Sequence, residues 1–508
     1  MSTVAKLSRS PLPSSSRLLV LAEELLVFIL LDLDAPDILS CTKVCRALAD
    51  VIEHTPAVQY KLQLGLAGMV DGSAEDVPLA KRLEQLRAYH ASWRSGNIPT
   101  ITVDGQEGSR ARGICDGVIV YEDATRLTLF RPASAFSGIV ASEVGTLDYG
   151  AHIEDPEFEL SGVAVDRAQD LVVLTKLVLG EIPQMYFLSI SQKGAFHPLA
   201  ERPQYEDLAE LGITVDPKER IEICGDLVAW TVQCDATSVT IINWKTGAVV
   251  FSDGEWPCDD PHFYMSCHFL DATDIALVQS TDVYICEVDP AQTNGTAKVL
   301  CTLKLPALQQ GMHAHNIESQ SRHPPTPAGD KALFRRDPAR TVLALQFSAC
   351  KNPFGYTPSE CRTFFALVPV STMLAAAAQC ASSEAAGAVP WEKWSAGGPG
   401  TRMFECAGHP NYYIHTMGSA CMLVPRSAER AKTPGAKHTL LLDAHPMAAH
   451  APCAPLGLVE LSFKPGDSID EPAWFVRPVL STLPCRMLSL GEALDYRAYL
   501  SQDAVVQR

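Results

Sequence analysis

The sequence predicts a small all-α module at the N-terminus followed by a large all-β domain, most simply a six- or seven-bladed β-propeller. Three patterns lead to this fold class. Apolar residues recur every four positions between residues 18 and 54, and from residue 98 they alternate with a period of two. Within the second region, a unit of two strands and a tight turn returns about every fifty residues, which is a spacing typical of propeller repeats.

The chain divides into four segments by composition. Residues 1–17 are rich in Ser and Pro and are predicted to be a disordered tail. Residues 18–60 form the helical module, and residues 61–97 form a helical linker that ends near the turn sequence SGNIP. Residues 98–508 form the β-propeller-like domain, so the chain has one small and one large folding unit.

Helix signals place the elements of the N-terminal region. Leu25, Ile29 and Leu33 recur at four-residue spacing, and Asp34 followed by Pro36 is a typical start for a second helix. Thr42 is a candidate cap for a third helix. A further amphipathic helix is predicted over residues 79–95, as a spacer or a brace between the module and the β domain.

The repeated unit consists of a strand, a polar turn and a second, very apolar strand. Copies are found at residues 112–120, 163–174, 221–230, 268–278 and 334–345, and a sixth set includes 420–424 and 439–442. Continuous apolar runs fit inner strands buried on both faces, whereas alternating third strands fit the half-exposed outer part of a blade. Two stacked β-sandwiches are the alternative. The Ala-rich stretch 373–399 is predicted to be a loop inserted between blades.

Composition narrows the function and the compartment. The net charge of −18 repels phosphate backbones, so nucleic acid is not an expected partner. The apolar stretch from Arg17 to Leu33 contains Glu23, Glu24 and Asp32, which argues against a signal peptide and a membrane span. The 16 cysteines are scattered and form no C-x-x-C pair, which favours free thiols and a cytoplasmic or nuclear protein.

Three short motifs in the helical module resemble the F-box family. Leu21-Ala22-Glu23-Glu24-Leu25 resembles the opening Leu-Pro-x-Glu-Leu, with Ala22 in place of the usual proline. Residues 33–39 (LDAPDIL) resemble the central Leu-x-x-x-Asp-Leu turn, and Lys43-Val44-Cys45-Arg46 resembles the Val-Cys-Lys/Arg segment of the last helix. The architecture is similar to that of F-box proteins abundant in mushroom-forming fungi.

The resemblance implies a docking surface for a Skp-family adaptor, which joins a cullin scaffold. The leucine-rich helices carry more apolar residues than so small a core requires, and an exposed apolar patch needs a partner to cover it. The expected adaptor-binding residues are Leu21, Ala22, Leu25, Ile29, Leu33, Ile38, Leu39, Val44, Cys45 and Leu48. The alternative is that these helices pack against the β domain of the same chain.

The resulting hypothesis is a substrate-recruiting subunit of a Skp–cullin–F-box ubiquitin ligase, whose propeller binds an unknown protein target. No catalytic residue, cofactor or metal site is predicted, since His313, His315, Asp443 and His445 do not follow a recognisable ligand spacing. Two alternatives stay open. The propeller could be an enzyme acting on a sugar or another small molecule, or the chain could be an F-box scaffold without ubiquitin transfer.

Overall fold

The protein consists of a helical N-terminal region followed by a six-bladed β-propeller, as seen in a computed structural model. The described residues are 17–102, 109–155, 157–178, 181–206, 218–233, 237–252, 265–279, 281–293, 295–324, 331–351, 361–381, 387–406, 412–425, 439–445, 447, 460–463, 466–490, 499–500 and 504–507. The predicted tail at 1–17 lies outside them, except for Arg17, which begins a short 3₁₀ turn at Arg17–Val20.

The N-terminal region contains five helices and one short strand in the described residues. They are α1 (Glu23–Asp32), α2 (Ala35–Cys41), α3 (Arg46–His54), α4 (Pro56–Ala67), β1 (Met69–Asp71) and α5 (Leu79–Ser95). Pro36 lies in the first turn of α2, as predicted. The third helix begins later than predicted, because Thr42 donates its hydroxyl to Leu39 O and Cys45 takes the N-cap position. The predicted boundary at residue 60 falls inside α4.

Six antiparallel sheets form the blades. Their strands are, in blade 1, β3 (Arg110–Cys115), β4 (Val118–Asp123), β5 (Arg126–Arg131) and β6 (Ser142–Asp148); in blade 2, β7 (Gly162–Asp166), β8 (Leu171–Lys176), β9 (Gln184–Ser189) and β10 (Gln204–Glu206); and in blade 3, β11 (Lys218–Cys224), β12 (Leu227–Gln233), β13 (Thr237–Asn243) and β14 (Ala248–Ser252).

The second half of the ring carries extra strands and two helices. Blade 4 has β15 (Met265–Phe269), β16 (Asp274–Gln279), β17 (Asp282–Glu287), β18 (Lys298–Lys304) and a late addition, β23 (Ala388–Val389); blade 5 has β19 (His313–Ser321), β21 (Val342–Cys350), β22 (Cys361–Pro369) and β24 (Arg402–Cys406); blade 6 has β25 (Tyr412–Met417), β26 (Ala420–Pro425), β27 (Leu440–Asp443), β28 (Glu460–Phe463) and β31 (Cys485–Ser489). A small hairpin joins β29 (Ser468–Ile469) to β30 (Val479–Leu480).

Contacts between first strands give the order of the blades. β3 contacts β7, which contacts β11, and the series continues through β15 and β19 to β25. A three-stranded sheet of β2 (Thr100–Thr102), β33 (Val505–Gln507) and β32 (Tyr499–Leu500) then contacts β25 on one side, and Val506 packs with Ile114 of β3 on the other. This small sheet closes the ring, and the radial arrangement excludes stacked sandwiches.

Burial within a blade differs from the prediction. The strands nearest the axis are the first ones, and several of them, such as β3 and β11, are only half-buried because they face the channel. The apolar second strands, such as β8 and β21, lie one place further out and are buried along their whole length. Blade-to-blade packing on both faces, rather than proximity to the axis, therefore explains the continuous apolar runs.

One predicted blade strand leaves its blade. The segment β20 (Phe334–Arg336), taken as the first strand of the fifth repeat, pairs instead with β1 of the helical region. The innermost strand of blade 5 is the polar segment β19. Its polarity hid it in the sequence, because the residues of an inner strand that face the channel do not need apolar side chains.

The stretch 373–399 is also different from the prediction. It includes most of α6 (Val370–Ala381) and all of α7 (Trp391–Trp394), and it lies within blade 5, between β22 and β24, rather than between blades. The Ala run favours a helix because Ala has the best helix propensity. Met373, Ala376 and Ala377 of α6 are buried against blades 4 and 5, and β23 extends blade 4 in parallel with β18.

Cysteine pairing departs from the sequence expectation at one position. Cys350 and Cys361 lie directly opposite each other on β21 and β22 and form a disulfide, with Cα atoms 4.2 Å apart. Ten other cysteines of the described chain are thiols. No helix in the described ranges is both long and apolar enough to cross a membrane.

Candidate functional site

An exposed apolar surface covers the beginning of the helical region. It comprises Leu18, Leu19, Val20, Leu21, Leu25, Phe28 and Ile29, and we refer to it as the N-terminal apolar surface. Leu25, Phe28 and Ile29 follow helical spacing on α1 and remain 50%, 67% and 40% exposed. Val44, in the turn before α3, is a further exposed apolar residue at 71%.

The sequence of α1 explains why this surface is present. The helix reads EELLVFILLD, so it is apolar on every side after its first turn. Leu26 and Leu30 are the side chains that point into the module. A helix that is apolar all round is normally surrounded by other elements, and here only one side is covered.

The module has a complete core without the exposed residues. Leu30, Ala35, Ile38, Ile52, Val58 and Leu62 form one cluster whose members all come from the N-terminal helices. Because this core is already filled, the exposed side chains are not needed to hold the module together. Exposure of these apolar side chains to water is unfavourable, and no other described residue of the chain covers them.

The predicted adaptor-binding residues fall into three groups. Leu21, Ala22, Leu25, Ile29 and Val44 are exposed, whereas Leu33, Leu39 and Cys45 are partly buried. Ile38 and Leu48 are 0% and 6% exposed, so the structure assigns them to the core rather than to a surface. Their apolar character alone could not separate the two roles.

Sequence reasoning missed Phe28, the most exposed apolar side chain of α1. The signal was present, because Phe28 lies three residues after Leu25 and therefore on the same side of the helix. Of the 15 large apolar residues exposed in the described part of the chain, eight lie between residues 18 and 44. This concentration distinguishes the N-terminal helices from the propeller, whose exposed apolar residues are dispersed over its sequence.

The helices α4 and α5 behave differently, because they pack on the propeller. Tyr60, Leu86 and Trp93 share a core with blade 6 residues such as Met422 and Leu441. The Tyr60 hydroxyl lies 2.8 Å from Asp71 Oδ1 and 2.9 Å from Leu333 O. The predicted role of helix 79–95 as a brace therefore fits its packing, and self-packing does occur, although in α4 and α5 rather than in α1.

The buried Arg336 contributes to the contact between the propeller and the brace, which consists of α4 and α5. Arg336 on β20 is 1% exposed, and its guanidinium lies 4.8 Å from the ring centre of Trp93. Arg486 of β31 donates to Arg94 O at the end of α5. These contacts fix the orientation of α4 and α5 on the propeller, and through α4 they position the module that carries the N-terminal apolar surface.

A second feature is a cavity of about 380 Å³ in the central channel. It lies at the ends of the inner strands and is lined by residues of all six blades, among them Asp116, Asp166, Glu219, Glu222, Arg322 and Met417. Carboxylates at the channel are what a channel enzyme would require. The four carboxylates Asp116, Asp166, Glu219 and Glu222 are, however, already paired with neighbouring groups.

The engagement of the channel carboxylates is structural. Glu222 forms an ion pair with Arg220 at 2.7 Å, and Asp116 forms one with Arg167 at 3.2 Å. Glu219 accepts from Thr175 and Trp230, and Asp166 accepts from Gln169. Burial raises the pKa of Asp116 to about 6 and also raises the pKa of Glu219, so part of the formal negative charge is neutralised below neutral pH.

A Glu–His–Ser series connects three neighbouring blades beside this cavity. His268 Nδ1 lies 3.1 Å from Glu222 Oε1, and its Nε2 lies 2.7 Å from Ser319 Oγ. His268 is 0% exposed and Ser319 is 9% exposed. The Arg220 and His268 charges hold the pKa of Glu222 down at about 2, against the effect of burial. The geometry resembles a hydrolase triad, but its burial fits a link between blades 3, 4 and 5.

The four residues considered for a metal form two pairs that are separated from each other. His313 pairs with Cys350 at one end of β21, whereas the opposite end, Val342, bonds to Gly418 in the turn next to Asp443 and His445. No group of three or more potential metal ligands is found in the described part of the chain. Asp443 accepts from Ser419, and His445 lies against Gly68 at the end of α4. Both residues therefore lie where blade 6 meets α4.

Comparisons with known proteins identify no family for this chain. No family model matches the chain, and no curated protein matches it. Among solved structures, it resembles the WD40 domain of SCAP from fission yeast, with 8% identity and a TM-score of 0.30 over 73% of this chain and 79% of that one.

Two further solved structures show a comparable likeness. Sqt1 of Saccharomyces cerevisiae has 9% identity and a TM-score of 0.32 over 75% of this chain and 82% of that one. Hsv2 of Kluyveromyces marxianus has 12% identity and a TM-score of 0.25 over 48% of this chain and 66% of that one. At these values the likenesses carry no inference about function, and the propeller assignment rests on the strand pairing.

Proposed function

We propose that the N-terminal apolar surface docks a Skp-family adaptor and that the chain is the substrate-recruiting subunit of a Skp–cullin–F-box ubiquitin ligase. The supporting observation is the exposure of Leu25, Phe28 and Ile29 on a module whose own core is complete. Residues 21–25, 33–39 and 43–46 resemble the F-box motifs in order and spacing. In this role the chain contributes proximity between a target and the transferred ubiquitin rather than bond chemistry.

The energetics favour a partner on this surface. Complete burial of a Leu, Ile or Phe side chain contributes about 1.5 to 3 kcal/mol. Since Leu25, Phe28 and Ile29 are about half exposed, covering them adds about 1 kcal/mol each, before the costs of association. Three such neighbours on one helix are sufficient to act as the centre of a small interface.

The rigid propeller is the proposed target-binding part. Blade-to-blade packing fixes the loops at both ends of the ring, and loops on a rigid scaffold are suited to binding. The brace of α4 and α5 holds the adaptor-docking module in a fixed position relative to these loops. A fixed distance between adaptor and target is what a ubiquitin-transfer assembly requires.

Copurification of the full chain with a Skp-family adaptor tests the proposal. Leu25→Glu and Phe28→Glu each place a charge on the docking surface and are expected to weaken adaptor binding at least tenfold. Leu199→Glu is the matched control, because Leu199 is 59% exposed and lies on the propeller. Melting temperatures of all three variants should stay close to that of the parent protein, since each side chain is exposed.

The proposal fails if the parent protein does not bind the adaptor, or if Leu25→Glu and Phe28→Glu bind as tightly as Leu199→Glu. A second measurement separates the ligase from a scaffold that works without ubiquitin transfer. If the adaptor complex also recruits a cullin, the ligase role is supported; an adaptor complex that excludes the cullin supports the scaffold.

A further inference from the structure

The outer edge of blade 1 has backbone groups that no neighbouring strand pairs. Its last strand, β6, has seven residues and is the longest outermost strand in the described part of the propeller. On the outer side of β6, Asp148 N donates to Lys193 O at 3.0 Å, so the backbone groups of Asp148 face away from β5. Because this direction alternates along an antiparallel pair, the N–H and C=O of Thr146 face outward as well. Thr146 is exposed, and no described backbone group beyond β6 bonds to it.

A groove of about 890 Å³ runs along this edge. One wall consists of β6, from Ser142 to Thr146 and at Asp148, and the opposite wall includes the turn at residues 190–193 of blade 2. This turn meets the end of β6, where Gly194 lies against the backbone of Asp148. The rest of the outer edge of β6 therefore faces the groove.

The outer edges of the other blades are shorter or covered. In blade 4, β18 pairs with β23, and in blade 3, Ser252 of β14 donates to Gly295 O. The outermost strand of blade 2, β10, has only three residues. Proteins usually shorten or cover such edges, because an open edge is a template for pairing with another chain. The edge of β6 is therefore suited to receive a further strand.

Two unpaired charges lie towards opposite ends of this groove. Glu143 is near the beginning of β6, and Lys193 lies beside its end at Asp148. Both side chains are exposed, and neither forms an ion pair within the described ranges. Val144 and Ile190 also line the groove, and both are half-buried against the core between blades 1 and 2. The groove thus combines a negative end, a positive end and an apolar contact.

We propose that an extended segment of the target protein adds to blade 1 as a fifth strand, antiparallel to β6. Its backbone bonds to Thr146, and its apolar side chains contact Val144 and Ile190. An acidic residue near its start pairs with Lys193, and a basic residue about five positions later pairs with Glu143, since opposite charges on neighbouring strands attract. In strand addition the backbone bonds supply affinity, and the side chains supply specificity.

A single extended segment fits this groove better than a second copy of the chain. Paired strands lie about 4.8 Å apart, so one strand can enter between β6 and the turn at 190–193. A whole blade of a second propeller would meet that turn. As a target site, the groove rests on the proposed function, whereas peptide binding to it uses no residue of the N-terminal apolar surface.

The test uses the full chain and a fluorescent hexapeptide, acetyl-Asp-Val-Thr-Val-Thr-Lys-amide, whose binding is followed by fluorescence anisotropy. We expect one peptide per chain with a dissociation constant below about 1 mM. A second peptide, with Asn and Gln in place of Asp and Lys, has the same backbone without the charges. It should bind about threefold more weakly, because exposed ion pairs contribute little each.

Variants at one position separate the backbone from the side chain. Thr146→Pro removes the outward N–H and keeps the ladder with β5, because proline is tolerated where the N–H of an edge strand faces outward. It should weaken binding at least fivefold. Thr146→Val is the matched control, since it keeps the N–H and removes only the hydroxyl, and it should bind like the parent protein.

A double variant tests the charges and the direction of the peptide. Glu143→Lys combined with Lys193→Glu reverses both ends of the groove, and both side chains are exposed, so the fold should be unchanged. This variant should bind acetyl-Lys-Val-Thr-Val-Thr-Asp-amide more tightly than the first hexapeptide. It also keeps the proposal testable if Thr146→Pro lowers the melting temperature.

Three results would overturn the proposal. The first is that the hexapeptide does not bind at millimolar concentration. The second is that a folded Thr146→Pro binds as tightly as Thr146→Val, and the third is that the double variant keeps the preference of the parent protein. A dimer of the chain that Thr146→Pro dissociates would assign the edge to a second copy instead. Adaptor copurification is measured separately, and its failure would leave peptide binding intact.

Discussion

Large aliphatic side chains are buried in one half of the helical region and exposed in the other. In α5, Leu83 and Leu86 are buried against the propeller, whereas in α1, Leu25 and Ile29 remain in contact with solvent. Both helices are rich in leucine, so composition does not account for the difference. The difference lies in their neighbours: the pairing of β1 with β20 holds α4 and α5 on blade 6, whereas the buried side of α1 packs with α2, α3 and α4.

Two matched substitutions test this difference between α5 and α1 most directly. Leu86→Ala removes a fully buried side chain between α5 and the propeller and should lower the free energy of unfolding by about 3 kcal/mol. Leu25→Ala should change it by less than about 0.5 kcal/mol, because the side chain is half exposed. Urea unfolding followed by circular dichroism measures both. Equal losses of stability would contradict the assignment of α5 to the core and α1 to a free surface.

Lowering the pH is expected to destabilise the packing of α4 and α5 on the propeller. His90 of α5 bonds to Gln63 and Leu66 O, and His445 lies against Gly68. Burial lowers the pKa of each to about 4, from 6.5 in the unfolded chain. Arg94 lowers that of His90 further, while Asp443 opposes the shift at both positions.

Because the folded-state pKa values are lowered, the unfolded chain takes up protons first as the pH falls. The stabilising contribution is complete above about pH 6.5 and is lost towards pH 4, by up to about 2 kcal/mol for one such histidine at pH 5. Unfolding measured at pH 7 and pH 5 should show this loss, and His90→Gln should reduce the difference. An unchanged pH dependence in His90→Gln would show that the ring is not held neutral by the packing of α4 and α5 on the propeller.

A small gain in stability is expected from a substitution at Ala22, which stands at the position of the proline in the F-box motif that residues 21–25 resemble. Ala22 precedes α1 with φ −59° and ψ 147°, which are values that proline adopts without strain. Ala22→Pro should therefore raise the free energy of unfolding by about 0.5 kcal/mol, because the unfolded chain loses freedom. Thermal unfolding would detect it. A loss of stability would mean that the turn at Leu21 cannot accommodate the proline ring.

Periodic apolar patterns predicted much of this fold. The α5 pattern corresponds to Leu79–Ser95, and the apolar runs of β8 and β12 correspond to second strands in their blades. The patterns report burial but not location, so they misplaced the most apolar strands next to the axis. They also missed β19, whose inner position permits polar residues, and they placed β20 in a blade although its partner lies more than 260 residues earlier.

The candidate sites were predictable to different degrees. Helical spacing was sufficient to select Leu25 and Ile29, and with full use it would have added Phe28. It could not tell that Ile38 and Leu48 point inward, since that depends on where α3 and α4 pack. The channel residues Glu222, His268 and Ser319 gave no signal, because they come from three different blades and meet only in the folded chain.

The parallel pairing of β2 with β33 has a consequence for biosynthesis. Residues 100–102 emerge from the ribosome early, yet their partner strand, residues 505–507, is made roughly four hundred residues later. At translation speeds of about 5 to 20 residues per second, the ring stays open for at least 20 seconds. During that interval the N-terminal helices are already complete, and a protein that covers them could bind the nascent chain before the propeller has closed.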